Sequence, residues 1–188
     1  DKFEKLTQLL IASNLITNLS VINNLLLTRL QCPFNNISSL DISNNSLLDY
    51  LYVSSNPLSI LDISNNLLLN LVSCFSNNLT SLNTSSNLFL QSVICFSNQI
   101  SSLNTSTNTL LSTLRIENNL LTNLDISNNP LLINLRVHSN QLDAAVNSQI
   151  LIDLDTHNLS NGYFQGSTFG GGTLTTAGLA AKASLLAK

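Results

Sequence analysis

Leu61–Asn78 reads LDISNNLLLNLVSCFSNN, one cysteine and one phenylalanine set among serines and asparagines. Taken alone it resembles a small reactive site, but its neighbours repeat it. Asparagines fall at 14, 24, 35, 45, 56, 66, 77, 87, 98, 108, 119, 129 and 140, at steps alternating between ten and eleven. The period is 21 residues with two similar halves, and a fixed period of this length marks a solenoid. Five residues before each asparagine stands Leu or Val, as at Leu51, Leu61, Val72 and Leu82. Three before stands an apolar residue or Thr, and two after another large apolar group, such as Leu58, Leu68, Leu79 and Phe89. Each half-coil thus reads L-x-(V/I/C/T)-x-x-N-x-L, and these apolar positions are expected to face inward. The alternation at Leu61-Asp62-Ile63 has the period of a strand, two side chains in and one out.

The expected fold is a β-solenoid of about six and a half 21-residue coils, with short parallel strands on two faces and a small C-terminal α/β cap. One coil cannot stand alone, so neighbours must share backbone ladders and apolar stacking. Asn35, Asn56, Asn77, Asn98, Asn119 and Asn140 form the expected structural ladder. Each carboxamide should bond its own turn and the next coil's asparagine. Asparagine also tolerates left-handed backbone, which would account for the lack of glycine before Gly162.

The units LSILDISNNLLLNLVSCFSNN (58–78) and LTSLNTSSNLFLQSVICFSNQ (79–99) resemble leucine-rich repeats of the nested 21-residue class, LxxLxCxxNxLxxLDLxxN. The resemblance covers about residues 6–142. It implies secreted or surface proteins of bacteria, or virion proteins of their phages, acting as binding modules and not as enzymes. Thr84 and Thr105 depart from the pattern at inward positions, and are expected to loosen or hydrate the core.

Cys32, Cys74 and Cys95 share the inward slot held elsewhere by Val53, Ile116 and Val137, so they should pack as small hydrophobes. Zinc is disfavoured because no C-x-x-C pair occurs. Cys74 and Cys95 lie one coil apart, but parallel side-chain vectors make poor bridge geometry. Three buried thiols are expected, and they leave the redox compartment open.

The two halves differ in their outward residues. Half-coils ending at Asn24, Asn45 and their equivalents (the even side) show Ser20, Asp41, Asp62, Asn83, Asn104 and Asp125, followed two later by serine from Ser43 onward. On the odd side the same slots read Gln31/Pro33, Tyr52/Ser54, Ser73/Phe75, Ile94/Phe96, Arg115/Glu117 and Arg136/His138. Solenoids bind partners through variable residues on a regular surface. Tyr52, Phe75, Ile94, Phe96, Arg115, Glu117, Arg136 and His138 are therefore the candidate binding residues. An exposed apolar strip is expected there, since residues 63–114 carry no charge. The alternative is that Phe75 and Phe96 fold over the sheet edge merely to cover backbone.

Charged residues make up only 9% of the 188-residue chain, so Ser, Thr and Asn must supply its solubility. A net charge of −3 argues against nucleic acid. No apolar run approaches the ~18 residues of a membrane span. The chain opens at Asp1 with no initiator Met or signal peptide, as expected of a processed product or a fragment. No cofactor or metal is implied. Stacked Asp41 and Asp62 supply too few oxygens for calcium, and Asp153, Asp155 and His157 read as a solvated face. The cluster Arg115, Glu117, Arg136 and His138 lacks a glycosidase's carboxylate pair, so no enzyme is expected.

Residues 1–8 form an N-terminal extension, 9–142 the solenoid and 143–188 a helix–strand–helix cap. Val146, Ile150, Leu151 and Leu154 have helical spacing, with Asn161-Gly162 as the stop. YFQG (163–166) would add a strand, 170–172 a turn, and a helix would start near Thr175 or Thr176 with Leu179, Leu185 and Leu186 as its apolar residues. The stretch 178–188 is similar to C-terminal modules that follow such repeats in bacterial surface and phage tail-associated proteins. The expected role is a non-catalytic extracellular or cell-surface recognition and adhesion module, holding a protein or glycan on the odd face. The second reading is a spacer or receptor-binding component of a phage virion or cell appendage. Further domains or subunits could dock at either end.

Overall fold

The computed structural model describes residues 4–158, 162–166 and 173–187. The expected 161–162 stop (at Asn161), the 170–172 turn and the first three residues lie outside them. Eight strands form one parallel sheet in chain order: β1 (Gln8–Leu10), β2 (Arg29–Gln31), β3 (Tyr50–Tyr52), β4 (Leu71–Ser73), β5 (Ser92–Ile94), β6 (Thr113–Arg115), β7 (Asn134–Arg136) and β8 (Tyr163–Gln165). From β1 to β7 the pairing steps by 21 residues, as in Leu51↔Val72 and Val72↔Val93. Equal register stacks like on like: Leu30, Leu51, Val72, Val93, Leu114 and Leu135 form one fully buried column, with Cys32, Val53, Cys74, Cys95, Ile116 and Val137 beside it. The three cysteines are free thiols in that column. Burial pushes Cys32 and Cys74 up to about 12. Cys95 is raised as well, by burial first and then by the charges of Cys74 and Glu117.

The strands lie on one face only, and the expected second set is absent among the described residues. On the even side the backbone makes two tight turns in succession. Asn66 N–H donates to Ile63 O and Leu69 N–H to Asn66 O, both at 3.1 Å, and the pair recurs in five other coils. These groups are satisfied within the coil, so they cannot form an inter-coil ladder. Asparagine side chains join the coils there instead: Asn66 Nδ2 donates to Ile42 O and to Asn45 O of the preceding coil.

On the odd side Asn77 Nδ2 reaches Cys74 O at 2.9 Å and Val53 O of the preceding coil at 3.3 Å, while its Oδ1 accepts from Leu58 N–H at 3.1 Å. Asn56, Asn98, Asn119 and Asn140 repeat this pattern, and so does Asn35. The partners are backbone groups, not the next asparagine's carboxamide as expected. Within the solenoid the left-handed residues are also not the ladder asparagines but those just before the odd ones: Ser13, Phe34, Ser55, Ser76, Ser97, Asn118 and Ser139, all with φ between 52° and 57°. That single left-handed step turns the strand's end so that the asparagine following it points inward.

Thr84 and Thr105 do not loosen the core. Both are buried. Thr84 Oγ1 donates to Asn108 Oδ1 at 2.8 Å and Thr105 Oγ1 to Asn129 Oδ1 at 2.7 Å. The coils with Val21, Ile42 or Ile63 in that slot leave Asn45, Asn66 and Asn87 Oδ1 without a hydrogen-bond partner among the described residues. The two threonines thus complete a bond that apolar residues cannot make.

Helix α1 (Ala144–Thr156) starts at Asp143, whose carboxylate accepts from Val146 N–H at 2.8 Å. Ile150 and Leu154 join the solenoid core, whereas Leu151 packs with Leu174 and Ala181. Helix α2 (Thr176–Leu186) is capped by Thr175. Leu185 packs inward, but Leu179 and Leu186 are exposed, contrary to the apolar role expected of them. Gly178 lets the helices meet: a Cβ there would lie 2.6 Å from Ser148 Cβ. Nor is Asp153 solvated; it is buried and accepts from Gln149 Nε2, and burial raises its pKa.

Candidate functional site

The outward side of the sheet carries three columns, because each strand begins one residue earlier than the L-x-(V/I/C/T) pattern placed it. Arg29, Tyr50 and Tyr163 open their strands and point outward, and this column was missed in the sequence. Extending the period-two alternation one residue back would have found it.

The candidate residues form a continuous row across four coils. Tyr52 and Phe75 have ring centroids 6.0 Å apart, tilted by 45°. Phe75 and Phe96 stack face to face at 4.4 Å and 5°. Arg115 Cζ lies 4.4 Å above the Phe96 ring, and its Nη2 meets Glu117 Oε1 at 2.5 Å. Strand spacing of about 4.8 Å is close to aromatic stacking distance, so equivalent slots on adjacent coils stack without distortion. The rings also roof a polar floor: Ser54 and Ser73 are buried, their hydroxyls 3.0 Å apart, and Ser54 Oγ accepts from Phe75 N–H.

The strip is consequently less exposed than expected. Tyr52, Phe75, Ile94 and Phe96 are each half-buried. Each aromatic ring covers its neighbour, which leaves one edge or face for a partner. Glu117 is not a free acid, being 3% exposed and held by Arg115. Its Oε2 has no hydrogen-bond partner among the described residues. Arg136 stands in register with Arg115 on the next strand, and its Cζ lies 4.8 Å over the Tyr163 ring. His138 is half-buried and contacts Ser139 Oγ at 3.2 Å. At the other end Arg29 lies 4.3 Å over Tyr50. The face is thus a band of π surfaces with a guanidinium at each end.

The even side shows why its outward residues repeat. Asp41 Oδ1 accepts from both the backbone N–H and the hydroxyl of Ser43, and Asp62, Asn83, Asn104 and Asp125 accept from the backbone N–H two residues on. These Asx turns fix D/N-x-S as local structure. The Ser43 and Ser127 hydroxyls, then their N–H groups, hold Asp41 and Asp125 below the ordinary carboxyl range; for Asp62 the Ser64 N–H leads. Among the described residues no three His, Cys, Asp or Glu side chains group as a metal site. No helix among them is long and apolar enough to cross a membrane.

No protein-family model matches the chain, and no curated protein does. Solved structures do match. The functional domain of InlJ from Listeria monocytogenes, which includes a cysteine ladder, is 30% identical over 78% of this chain and 38% of its own, with TM-score 0.61. Internalin C2 of the same organism gives 21% identity over 88% and 72%, with TM-score 0.75. YopM, a leucine-rich effector protein from Yersinia pestis, gives 23% over 73% and 44%, with TM-score 0.58. The chain spans 38% of the InlJ chain and 49% of an internalin F chain.

Proposed function

We propose that this chain, a leucine-rich repeat solenoid of 21-residue coils, is a non-catalytic recognition module that works outside the cell or on its surface. It holds a protein or glycan against the outward side of the strand sheet. The observation that carries this reading is the row Tyr52–Phe75–Phe96–Arg115, rings and a guanidinium in successive contact beside the buried Ser54–Ser73 pair. Such surfaces suit partners that offer flat apolar faces edged with hydroxyl or carboxylate groups, because stacking supplies area and Arg115 and Arg136 supply directed donors. The contrast between sides supports it too. Hydrogen bonding fixes the even row, whereas nothing local requires aromatics on the odd one.

The test is a glycan and surface-protein array probed with this chain and with a Phe75→Ser/Ile94→Ser/Phe96→Ser variant. Specific capture by the parent and its loss in the variant, with the circular dichroism unchanged, is the expected result. Capture that survives the triple substitution removes the odd face from the function. Silence of the parent on every surface favours the second reading, a stiff spacer in a virion or appendage, which the unbroken inter-coil ladder would also serve.

A further inference from the structure

The even side carries a feature that the recognition surface does not use. Each coil makes two β-turns within seven residues, and their exposed tips differ in kind. The first tip is Ser43-Asn44, Ser64-Asn65, Ser85-Ser86 and so on, the polar residues that tight turns favour. The second tip, three residues later, is Leu25-Leu26, Leu67-Leu68 and Leu88-Phe89, with Ser46, Thr109 and Pro130 at the first position of the other coils. Its second position is apolar in all six coils: Leu26, Leu47, Leu68, Phe89, Leu110 and Leu131. The sequence pattern places these inward with Leu58 and Leu79, and the structure overturns that. On the odd side the residue two after the asparagine is buried; on the even side the residue three after it, such as Leu69, takes that place and the tip turns out.

Large apolar side chains at exposed turn tips gain nothing from the turn, so their recurrence needs another cause. The eight tip leucines and one phenylalanine are each 39–55% exposed. Taken at the strand step of about 4.8 Å, the six tips make a ridge of about 24 Å. Together they leave on the order of 800 Å² of surface in water, the share that one partner contributes to a standard interface.

We infer that this ridge is an interface between two copies of the chain, paired side by side about a two-fold axis. Three observations select a second copy. The tips carry no charge, so neither an acidic nor a basic partner is preferred and no cation is offered to lipid headgroups. A ridge of constant step is complementary to itself, as an isologous contact requires: Leu26 would face Leu131, Leu47 would face Leu110, and Leu68 would face Phe89 of the other copy. The first tips run alongside the ridge and, apart from Ile22 in the first coil, are polar, so they supply the rim of such an interface. The odd face lies on the opposite half of the coil and stays free in the pair.

Sedimentation velocity on the whole chain over a range of concentrations tests this. A two-chain species should appear by about 100 µM, and Leu47→Ser/Leu68→Ser/Phe89→Ser/Leu110→Ser should weaken it by ~100-fold or more. About half of each tip packs against its own coil, so the quadruple variant should melt lower, and an unchanged circular dichroism spectrum at the working temperature certifies that it is folded. Orientation is read by disulfide trapping, with all three native thiols buried and out of reach. Leu26→Cys mixed with Leu131→Cys should cross-link, and Leu26→Cys alone should not. A parent chain that stays monomeric, a dimer indifferent to the four serines, or Leu26→Cys linking to itself would each overturn the pairing. Flotation of a monomeric parent with phosphatidylcholine vesicles would assign the ridge to lipid and equally overturn it.

Discussion

Replacing Thr84 with Val tests the account of the even asparagines at one atom. The two side chains have nearly the same shape, so the core neither gains nor loses volume. What changes is the 2.8 Å bond from Thr84 Oγ1 to Asn108 Oδ1. Without it that oxygen joins Asn45, Asn66 and Asn87 Oδ1 as a buried acceptor lacking a partner. An orphaned buried acceptor costs about 1–3 kcal/mol, and the extra buried methyl returns about 1 kcal/mol. The net loss reaches at most about 2 kcal/mol and centres near 1 kcal/mol, or roughly 2–4 °C in melting temperature for a chain of this size. Urea unfolding followed by circular dichroism measures it, with an unchanged slope certifying that the unfolding unit is unaltered.

The converse pair sharpens the argument. Val21→Thr makes the reverse exchange at the unpartnered Asn45 Oδ1 and should stabilise by about 1 kcal/mol. Val53→Thr puts the same hydroxyl beside Asn77, whose Oδ1 already accepts from Leu58 N–H, and should cost about 1–3 kcal/mol. A neutral Thr84→Val, or equal costs at Val21 and Val53, would refute the reasoning.

Phe34→Gly should raise stability by about 1 kcal/mol, because Phe34 holds φ 55° while half exposed and glycine adopts that geometry without a Cβ clash; thermal melting would show a gain of a few degrees. Gly178→Ala should detach α2 from α1, since the added Cβ meets Ser148 Cβ at 2.6 Å; faster hydrogen exchange in 176–186 with the solenoid unchanged is the expected signature. Asp41, Asp62 and Asp125 have folded pKa values below the ordinary 3.8, so their contribution is complete above that value and is lost as pH falls through the lower folded-state values. Changing all three to Asn, as stands naturally at Asn83 and Asn104, keeps the Asx turn and should flatten the acid limb of the stability curve. An unaltered limb would show that other carboxylates set it.

The sequence displayed most plainly whatever is repeated. Register, the buried columns and the cysteines follow from a period that any residue type obeying it confirms, and the start of the second helix near Thr175 or Thr176 was legible from its own threonines. Whatever depends on geometry between repeats was hidden. Nothing in the spelling of SNN says that the serine, and not the asparagine, takes the left-handed step, because both tolerate a turn. Thr84 reads as a defect in a one-coil motif, and becomes a bond only when its partner 24 residues on is placed above it.

The same limit explains the two surfaces. Leu58 and Leu68 occupy equivalent letters of the repeat, two residues after an asparagine, and a consensus gives them one fate. Their backbones differ. After Asn56 the chain runs extended and returns Leu58 to the core, whereas Asn66 accepts from Leu69 N–H and closes a turn that throws Leu68 outward. One local hydrogen bond, repeated six times, converts a core position into a solvent ridge. On the strand side the equal step instead brings Phe75 onto Phe96 at stacking distance. A strict repeat copies every outward placement as faithfully as every inward one, so the apolar row runs the length of the solenoid and presents the continuous surface that the proposed pairing would cover.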